Sequence, residues 1–158
     1  MGAWRYIVPP PSDFWNWFDE LIVAGVVLAP LEVREELRRN GREFSAWASS
    51  PARSNFFVDV DSDIEAAHRQ FLDDAEYRRF LINDDVQTRQ GQRHEADPWV
   101  ISLAAARGLT VVTHETPRRQ QSPEAKIPTA CQALSIPCTD VHGFMGLMGV
   151  RLGVVPAL

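Results

Sequence analysis

Residues 96–115, ADPWVISLAAARGLTVVTHE, read as one helix followed by one strand, with an acidic residue at each outer end. The Asp97 carboxylate suits an N-cap, where it accepts from orphan backbone N–H groups. Pro98 suits the first helical position, where its missing N–H is not needed. Val100, Ile101, Leu103, Ala104 and Ala105 supply the apolar face, Gly108 a left-handed stop, and Leu109 to Val112 a buried strand running out toward Glu115. In a parallel sheet this order brings the helix start and the strand end to the same edge, where open α/β folds build their sites. The expected fold class is therefore α/β.

Composition bounds the rest. The chain has 158 residues, enough for one domain with a sizeable core and too few for two comfortable ones. Lys+Arg total 16 against 21 Asp+Glu, a net charge of −5, which excludes a global electrostatic attraction to nucleic acid or anionic membrane. Any polyanion must be met locally. Lys126 is the single lysine and every other basic residue besides histidine is arginine, which suits bidentate phosphate contacts but fits a biased codon usage better. Cys131 and Cys138 are too few for a disulfide scaffold and read as reduced thiols of a cytosolic protein. The apolar run Leu21 to Leu31 is too short to span a bilayer, and Asp13, Asp19 and Glu20 before it are wrong for a signal peptide.

Outward from the opening stretch, the punctuation gives a single domain over 1–158 with an irregular proline-bearing arm at 1–12. Ser12 or Asp13 caps a helix to about Ala24, Gly25 ends it, and Val26 to Ala29 form a short strand. Pro30 starts a helix marked by Leu31, Val33 and Leu37, and Asn40 and Gly41 stop it. A helix follows over Arg42 to Ala48, then an extended piece at Phe56 to Val60. Asp61 or Ser62 caps a polar helix to about Ile82, and 83–95 form a loop. After Glu115 the segment Thr116 to Glu124 reads as a mobile polar connection. It leads to a helix over Pro128 to Leu134, a strand over Ile136 to Thr139 and a helix over Val141 to Met148. Trp15, Trp17, Trp47 and Trp99 lie among aliphatics at helical spacing and read as core before they read as base-stacking platforms.

The residues that could carry chemistry are carboxylates. Glu32 and Glu36 share a helix face at the (i, i+4) spacing, with Glu35 between them. Helical glutamates are usually solvated. The topology nonetheless sends Asp97 and Glu115 to element ends of the same kind, so three acids could converge on one edge. Converging carboxylates repel one another unless a cation sits among them, and oxygen donors select a hard ion, Mg²⁺ or Mn²⁺. Such an ion polarises a phosphoryl oxygen and activates water.

The stretches FWNWFDELIVAGVVLAPLEVREEL, FSAWASS, ADPWVISLAAARGLTVVTHE and KIPTACQALSIPC, in this order and spacing, resemble the PIN-domain ribonucleases, most closely a bacterial PIN-like subgroup. The resemblance implies a three-layer α/β/α sandwich around a parallel sheet and metal-dependent endonucleolytic cleavage of RNA. Many of its members are toxins of toxin–antitoxin pairs. It assigns the catalytic and metal-binding acids to Glu36, with Glu32 or Glu35 as fallback, and to Asp97 and Glu115. Thr113 falls where a hydroxyl often helps hold substrate or metal. The family's first strand, ending in Asp-x-Asn or Asp-x-Ser, has no counterpart before Asp61, so the sandwich is expected to lack its central strand and the chain to begin downstream of it.

Other motifs do not compete. His94-Glu95 lacks the second histidine of a zinc-protease helix, the two cysteines lack a second pair, His142 reads as a turn or cap residue, and no Gly-rich phosphate loop occurs. Three functional readings follow from the residues and the resemblance. The first is a PIN-type endoribonuclease whose Arg38, Arg39, Arg118 and Arg119 track the RNA backbone, leaving a 5′-phosphate and a 3′-hydroxyl. The second is a catalytically impaired PIN-like protein that binds a protein partner such as an antitoxin, or a second copy of itself. The third is a metal-dependent phosphatase or other nuclease on a similar scaffold.

Overall fold

Local signals set most of the element boundaries. The computed structural model describes residues 12–39, 42–82, 96–119 and 122–149, and within these the chain is mixed α/β, mostly helical, with small parallel sheets. The arm at 1–11, the stop at Asn40–Gly41 and the loop at 83–95 lie outside the described residues. The fold comprises two compact units, Met1–Asp59 and Val60–Leu158. No described helix is long and apolar enough to cross a membrane.

In the first unit, α1 (Ser12–Val23) ends at Gly25, whose φ of 67° is open to glycine at little cost. Strand β1 (Ala29–Pro30) pairs in parallel with β2 (Phe57–Val58). Pro30 closes the strand instead of opening the next helix, which starts one residue later as α2 (Leu31–Arg39). Helix α3 (Arg42–Ala48) has the bounds its sequence predicts. A 3-10 turn over Pro51–Phe56, which the sequence pattern does not reveal, leads into β2. The core is small: Ala29, Ala48 and Phe57 are buried, with Leu31, Val33, Leu37, Trp47 and Phe56 packed against them.

So small a core cannot enclose the indoles. Trp15 is 43% exposed, and Trp15 and Trp47, expected inside, form part of an aromatic layer at the surface of this core. Phe18 meets Phe56 at 5.9 Å between centroids, and Trp47 meets Phe56 at 5.7 Å. Arg53 binds Asp19 through two hydrogen bonds of 2.9 and 2.7 Å while its guanidinium lies 4.8 Å from the Trp47 ring centre.

In the second unit, the helix expected from Asp61 to Ile82 is two helices, α4 (Ser62–Phe71) and α5 (Ala75–Ile82). The break is chemical: Asp74 Oδ1 accepts from the backbone N–H groups of Glu76 and Tyr77, both at 2.9 Å, and so starts a new helix. Asp61 caps α4 through Asp63 N and Ile64 N, and these bonds, together with Arg107, hold its carboxyl below 3.8.

Helix α6 (Asp97–Arg107) begins at Asp97, and Ala96 is its N-cap. The expected cap position is therefore shifted by one residue. Ala96, at φ −87° and ψ −29°, is already in the right-handed region, and its carbonyl accepts from Val100 N. Asp97 still favours the helix as an acid in its first turn. Gly108 closes α6 in the left-handed conformation, as predicted. Strand β3 (Val111–Val112) pairs in parallel with β4 (Cys138–Thr139); between them lies α7 (Ile127–Ala133), and α8 (Val141–Leu147) follows. Among the described residues each parallel ladder is a separate two-stranded pair.

The core of this unit joins Phe71, Tyr77, Phe80, Ile101, Val111, Ala130 and Cys131. Ser102, wholly buried in α6, donates to the Pro98 carbonyl at 2.8 Å and meets the Tyr77 hydroxyl at 2.8 Å. That hydroxyl also donates to the Pro98 carbonyl at 3.1 Å and lies 2.7 Å from His68 Nδ1. Tyr77 and Ser102 carry one hydroxyl proton each, so donation from His68 Nδ1 to Tyr77 is the assignment that matches the most contacts. The His68 ring stacks on Trp99 at 4.6 Å.

Two outcomes follow from this network. Tyr77→Phe strands the partners of a buried hydroxyl and should cost about 1–3 kcal/mol in denaturant unfolding. Burial, reinforced by the Arg69 charge, pulls His68 below its ordinary 6.5, so the unfolded chain binds more protons than the fold in the window just below that value. The His68 contribution is fully present above 6.5 and is lost as pH falls through the lowered folded value. His68→Gln, which can still donate to Tyr77, should flatten this part of a stability-versus-pH curve.

Candidate functional site

The parallel pairing of β3 with β4 sets residues of two loops side by side. Val111 is level with Cys138 and Val112 with Thr139, and Thr113 N donates to the Thr139 carbonyl at 3.0 Å, so Thr113 and Asp140 leave the two strands together. Beyond them opens a cleft of about 600 Å³, lined on its polar side by Thr113, Glu115, Gln132, Thr139 and Asp140. This is the strand-end edge at which the opening sequence stretch places a site.

Each acid in the cleft has one oxygen fixed by backbone. Glu115 Oε2 accepts from Ile127 N at 2.7 Å, at the first residue of α7, and Glu115 Oε1 lies 3.4 Å from Lys126 Nζ. Thr113 Oγ1 accepts from Glu115 N at 3.1 Å, which holds the loop in position. Asp140 is the N-cap of α8, its Oδ1 accepting from Gly143 N at 2.8 Å. Burial raises the Cys138 thiol above 9.0, a contact with Cys131 partly offsets this, and the nearby Glu115 charge adds to it. Cys131 is pushed up to about 12, chiefly by burial, so both thiols stay protonated and unreactive near neutral pH.

The sequence-predicted residues are distributed as follows. Glu115 lines the cleft. Asp97, partly buried at the start of α6, is not among the described residues lining it. Glu36 lies on α2 in the unit Met1–Asp59, also partly buried. Of its two alternatives, Glu35 pairs with Arg38 on the surface at 3.3 Å, whereas Glu32 Oε2 is shielded from solvent with no hydrogen-bond partner among the described residues. Among the described residues no group of three or more His, Cys, Asp or Glu side chains is arranged to hold a metal ion. The donors that the cleft does offer, carboxylate and hydroxyl oxygens, are those a hard divalent ion takes.

The arginines divide. Arg118 is bound on three sides: its N–H to Thr129 Oγ1 at 2.7 Å, and its guanidinium to the Ser122 carbonyl at 2.8 Å and to Glu76 Oε1 at 2.7 Å. It ties the connection after Glu115 to α5 and α7. Arg119 is exposed, as are Arg38 and Arg39 at the end of α2.

Sequence reasoning passes over Asp140 and Lys126. The signal for the first is readable: an acid directly after a strand and three residues before a glycine, Asp140-Val-His-Gly143, is an N-cap at a strand end.

The chain belongs to the family described as a domain of unknown function, DUF4411, whose model matches residues 4–152. No curated protein and no solved structure matches it.

Gly143 gives a test of how tightly the cleft wall is packed. A Cβ there would lie 2.0 Å from Thr139 Oγ1, so Gly143→Ala must displace that side chain or the start of α8. Gly143→Ala should destabilise the protein, whereas in a Thr139→Ala background the same change should stabilise by up to about 1 kcal/mol through helix propensity. A double-mutant cycle in thermal unfolding reads the reversal of sign.

Proposed function

We propose that this member of the DUF4411 family is a metal-dependent endoribonuclease of the PIN type, built as a three-layer α/β/α sandwich and acting as the toxin of a toxin–antitoxin pair in the cytoplasm. The observation that carries the reading is the pair of acids, Glu115 and Asp140, at the C-terminal ends of two parallel strands around an open cleft. On this reading Glu115 and Asp97 are the acids of the unit Val60–Leu158 that would hold Mg²⁺ or Mn²⁺. When bound, the ion supplies Lewis-acid polarisation of the phosphoryl group. The chain's own residues do the rest. Thr113 fixes the loop that carries Glu115, the Thr139 hydroxyl is available to hydrogen-bond the strand, and Arg119 meets a backbone phosphate. Arg118, engaged with Glu76, holds the loop in place instead of meeting RNA.

A second reading is favoured by a specific observation. The Glu115 carboxylate is matched by an ammonium and a backbone N–H, as a structural capping residue would be. A catalytically impaired protein that binds an antitoxin or a second copy of itself is consistent with that.

The experiment is RNA cleavage with Mg²⁺ or Mn²⁺ and with chelator, with product ends identified. The expected result is metal-dependent scission leaving a 5′-phosphate and a 3′-hydroxyl, reduced about a hundredfold or more by Asp97→Asn and by Glu115→Gln. Arg119→Ala should weaken RNA binding and lower its salt slope by about one. Arg118→Ala should lower thermal stability. Scission that survives chelator, or no scission by a folded protein that captures a partner, turns the assignment to the second reading.

A further inference from the structure

The aromatic layer of the unit Met1–Asp59 holds hydrogen-bond donors that no acceptor in the fold matches. Arg34, half-buried on α2, has no hydrogen bond and no ion pair among the described residues, and its Nε is shielded from solvent. Its guanidinium lies 5.9 Å from the centre of the Phe57 ring. Trp47, whose shielded Nε1 is likewise unmatched, meets the same ring at 6.3 Å. A shielded donor without an acceptor is costly, and two of them beside one ring call for an acceptor-rich ligand. The neighbouring acids do not serve: Asp19 is engaged by Arg53 and Glu35 by Arg38, and Glu32, two residues before Arg34, faces another side of the helix. Beside these donors the layer opens to solvent. The Trp15 ring lies 6.1 Å from Trp47 and is 43% exposed; it meets Phe14, Phe18 and Trp47 at interplanar angles of 80°, 89° and 59°, so no described ring lies parallel on it. Phe44, one turn before Trp47 on α3, is 56% exposed.

We propose that this layer is a docking surface for single-stranded RNA, with a base stacked on Trp15 and a backbone phosphate on the Arg34 guanidinium. An exposed indole and a cation beside it are the two elements of sequence-tolerant single-strand binding. The planar fork of a guanidinium matches a phosphate. Charge complementarity points the same way: the half-buried Arg53, Arg79 and Arg118 are bound to the chain's own acids, whereas Arg34 keeps its charge for a ligand. A carboxylate of a partner protein matches Arg34 but leaves the exposed indole unused. The inference rests on the RNA reading above for the identity of the ligand, and it requires no metal ion.

Binding of a fluorescein-labelled oligoadenylate, followed by anisotropy over a range of salt with chelator present, tests the surface apart from cleavage. We expect Trp15→Leu to weaken binding about tenfold with the salt slope unchanged, and Trp15→Phe to keep most of the affinity. Arg34→Gln should weaken binding while lowering the slope by about 0.7. Loss of a structural contact alone predicts neither the difference in slope nor the rescue by phenylalanine. Where a variant does not fold, ultraviolet crosslinking of the unaltered chain to oligouridylate, located by peptide mass spectrometry, takes its place and should mark the α1 peptide that carries Trp15. If folded Trp15→Leu and Arg34→Gln bind oligoadenylate as the unaltered chain does, or crosslinks fall only within residues 113–140, the docking surface is wrong while the metal-dependent reading stands. A chain that binds no strand overturns the surface whatever the cleavage assay shows. Intact binding that depends on Trp15 and Arg34, without metal-dependent scission, overturns the reading above and leaves the surface.

Discussion

The buried hydroxyl of Ser102 must find a partner, and the unit Val60–Leu158 is arranged around how it does so. A hydroxyl left unmatched in an apolar core costs about 1–3 kcal/mol, a large fraction of a domain's total stability. Ser102 meets the requirement locally, by donating to the Pro98 carbonyl one turn back, and through tertiary structure, by contact with Tyr77. Tyr77 is itself wholly buried, with burial raising its hydroxyl to about 12, and so it is a neutral phenol that bridges α5, α6 and His68 of α4. Three helices are thus registered to one another by polar contacts at one point, while Ile64, Phe71, Phe80 and Ile101 supply the non-directional driving force around it. The carbonyl at the centre belongs to Pro98, directly after Asp97. The start of α6 is therefore held by two side-chain hydroxyls, and precision there is what a catalytic carboxylate would require.

Glu115 sits under the opposite kind of constraint. It follows β3 on a loop, yet it is fixed by the start of α7, and α7 leads into β4, which carries Thr139 and Asp140 into the same cleft. Removing its carboxylate would therefore loosen the wall of the site as well as empty it. A charged acceptor on a backbone N–H contributes about 1.5–3 kcal/mol, comparable to about two to four buried methylenes. A residue that serves both folding and the proposed chemistry has little room to be optimised for either, a common arrangement at functional sites.

What is legible in the sequence is local. Gly25 and Gly108 stop helices because a left-handed residue ends one wherever it stands, and Asp61 caps α4 because its side chain reaches its own backbone. The break at Leu72–Asp74 escapes a reading by apolar spacing because that spacing runs through it, although the capping ability of Asp74 is equally local. The order helix, strand, helix, strand from Asp97 onward is the predicted one, whereas the strand lengths are not, since each ladder described is two residues long and pairing is settled by distant segments. Within the candidate site, Glu115 is found from its place after a strand. The commitment of Arg118 is not, because its partner Glu76 is 42 residues away and only the tertiary fold brings them together. The exposed indole of Trp15 follows from the size of its unit, which no periodicity encodes.

The internal use of arginine limits what this protein can do with a polyanion. Arg53 is spent on Asp19, Arg69 on Glu65, Arg79 and Arg118 on Glu76, and Arg107 on Asp61 and Asp63. Each pair removes a positive charge from the reach of phosphate in a chain whose balance is already −5. On the proposed reading RNA would be held by few backbone contacts, and since each neutralised phosphate contributes about 0.7 to the salt slope of a single strand, binding would depend only shallowly on salt. Selection of a scissile strand would then fall to groups that do not rely on net charge: the hydroxyls of Thr113 and Thr139, the Gln132 amide and the width of the cleft between α7 and the strand ends. Those groups respond to the shape and hydrogen-bonding edges of a strand, so on that reading the protein would discriminate among RNAs more by conformation than by the density of their charge.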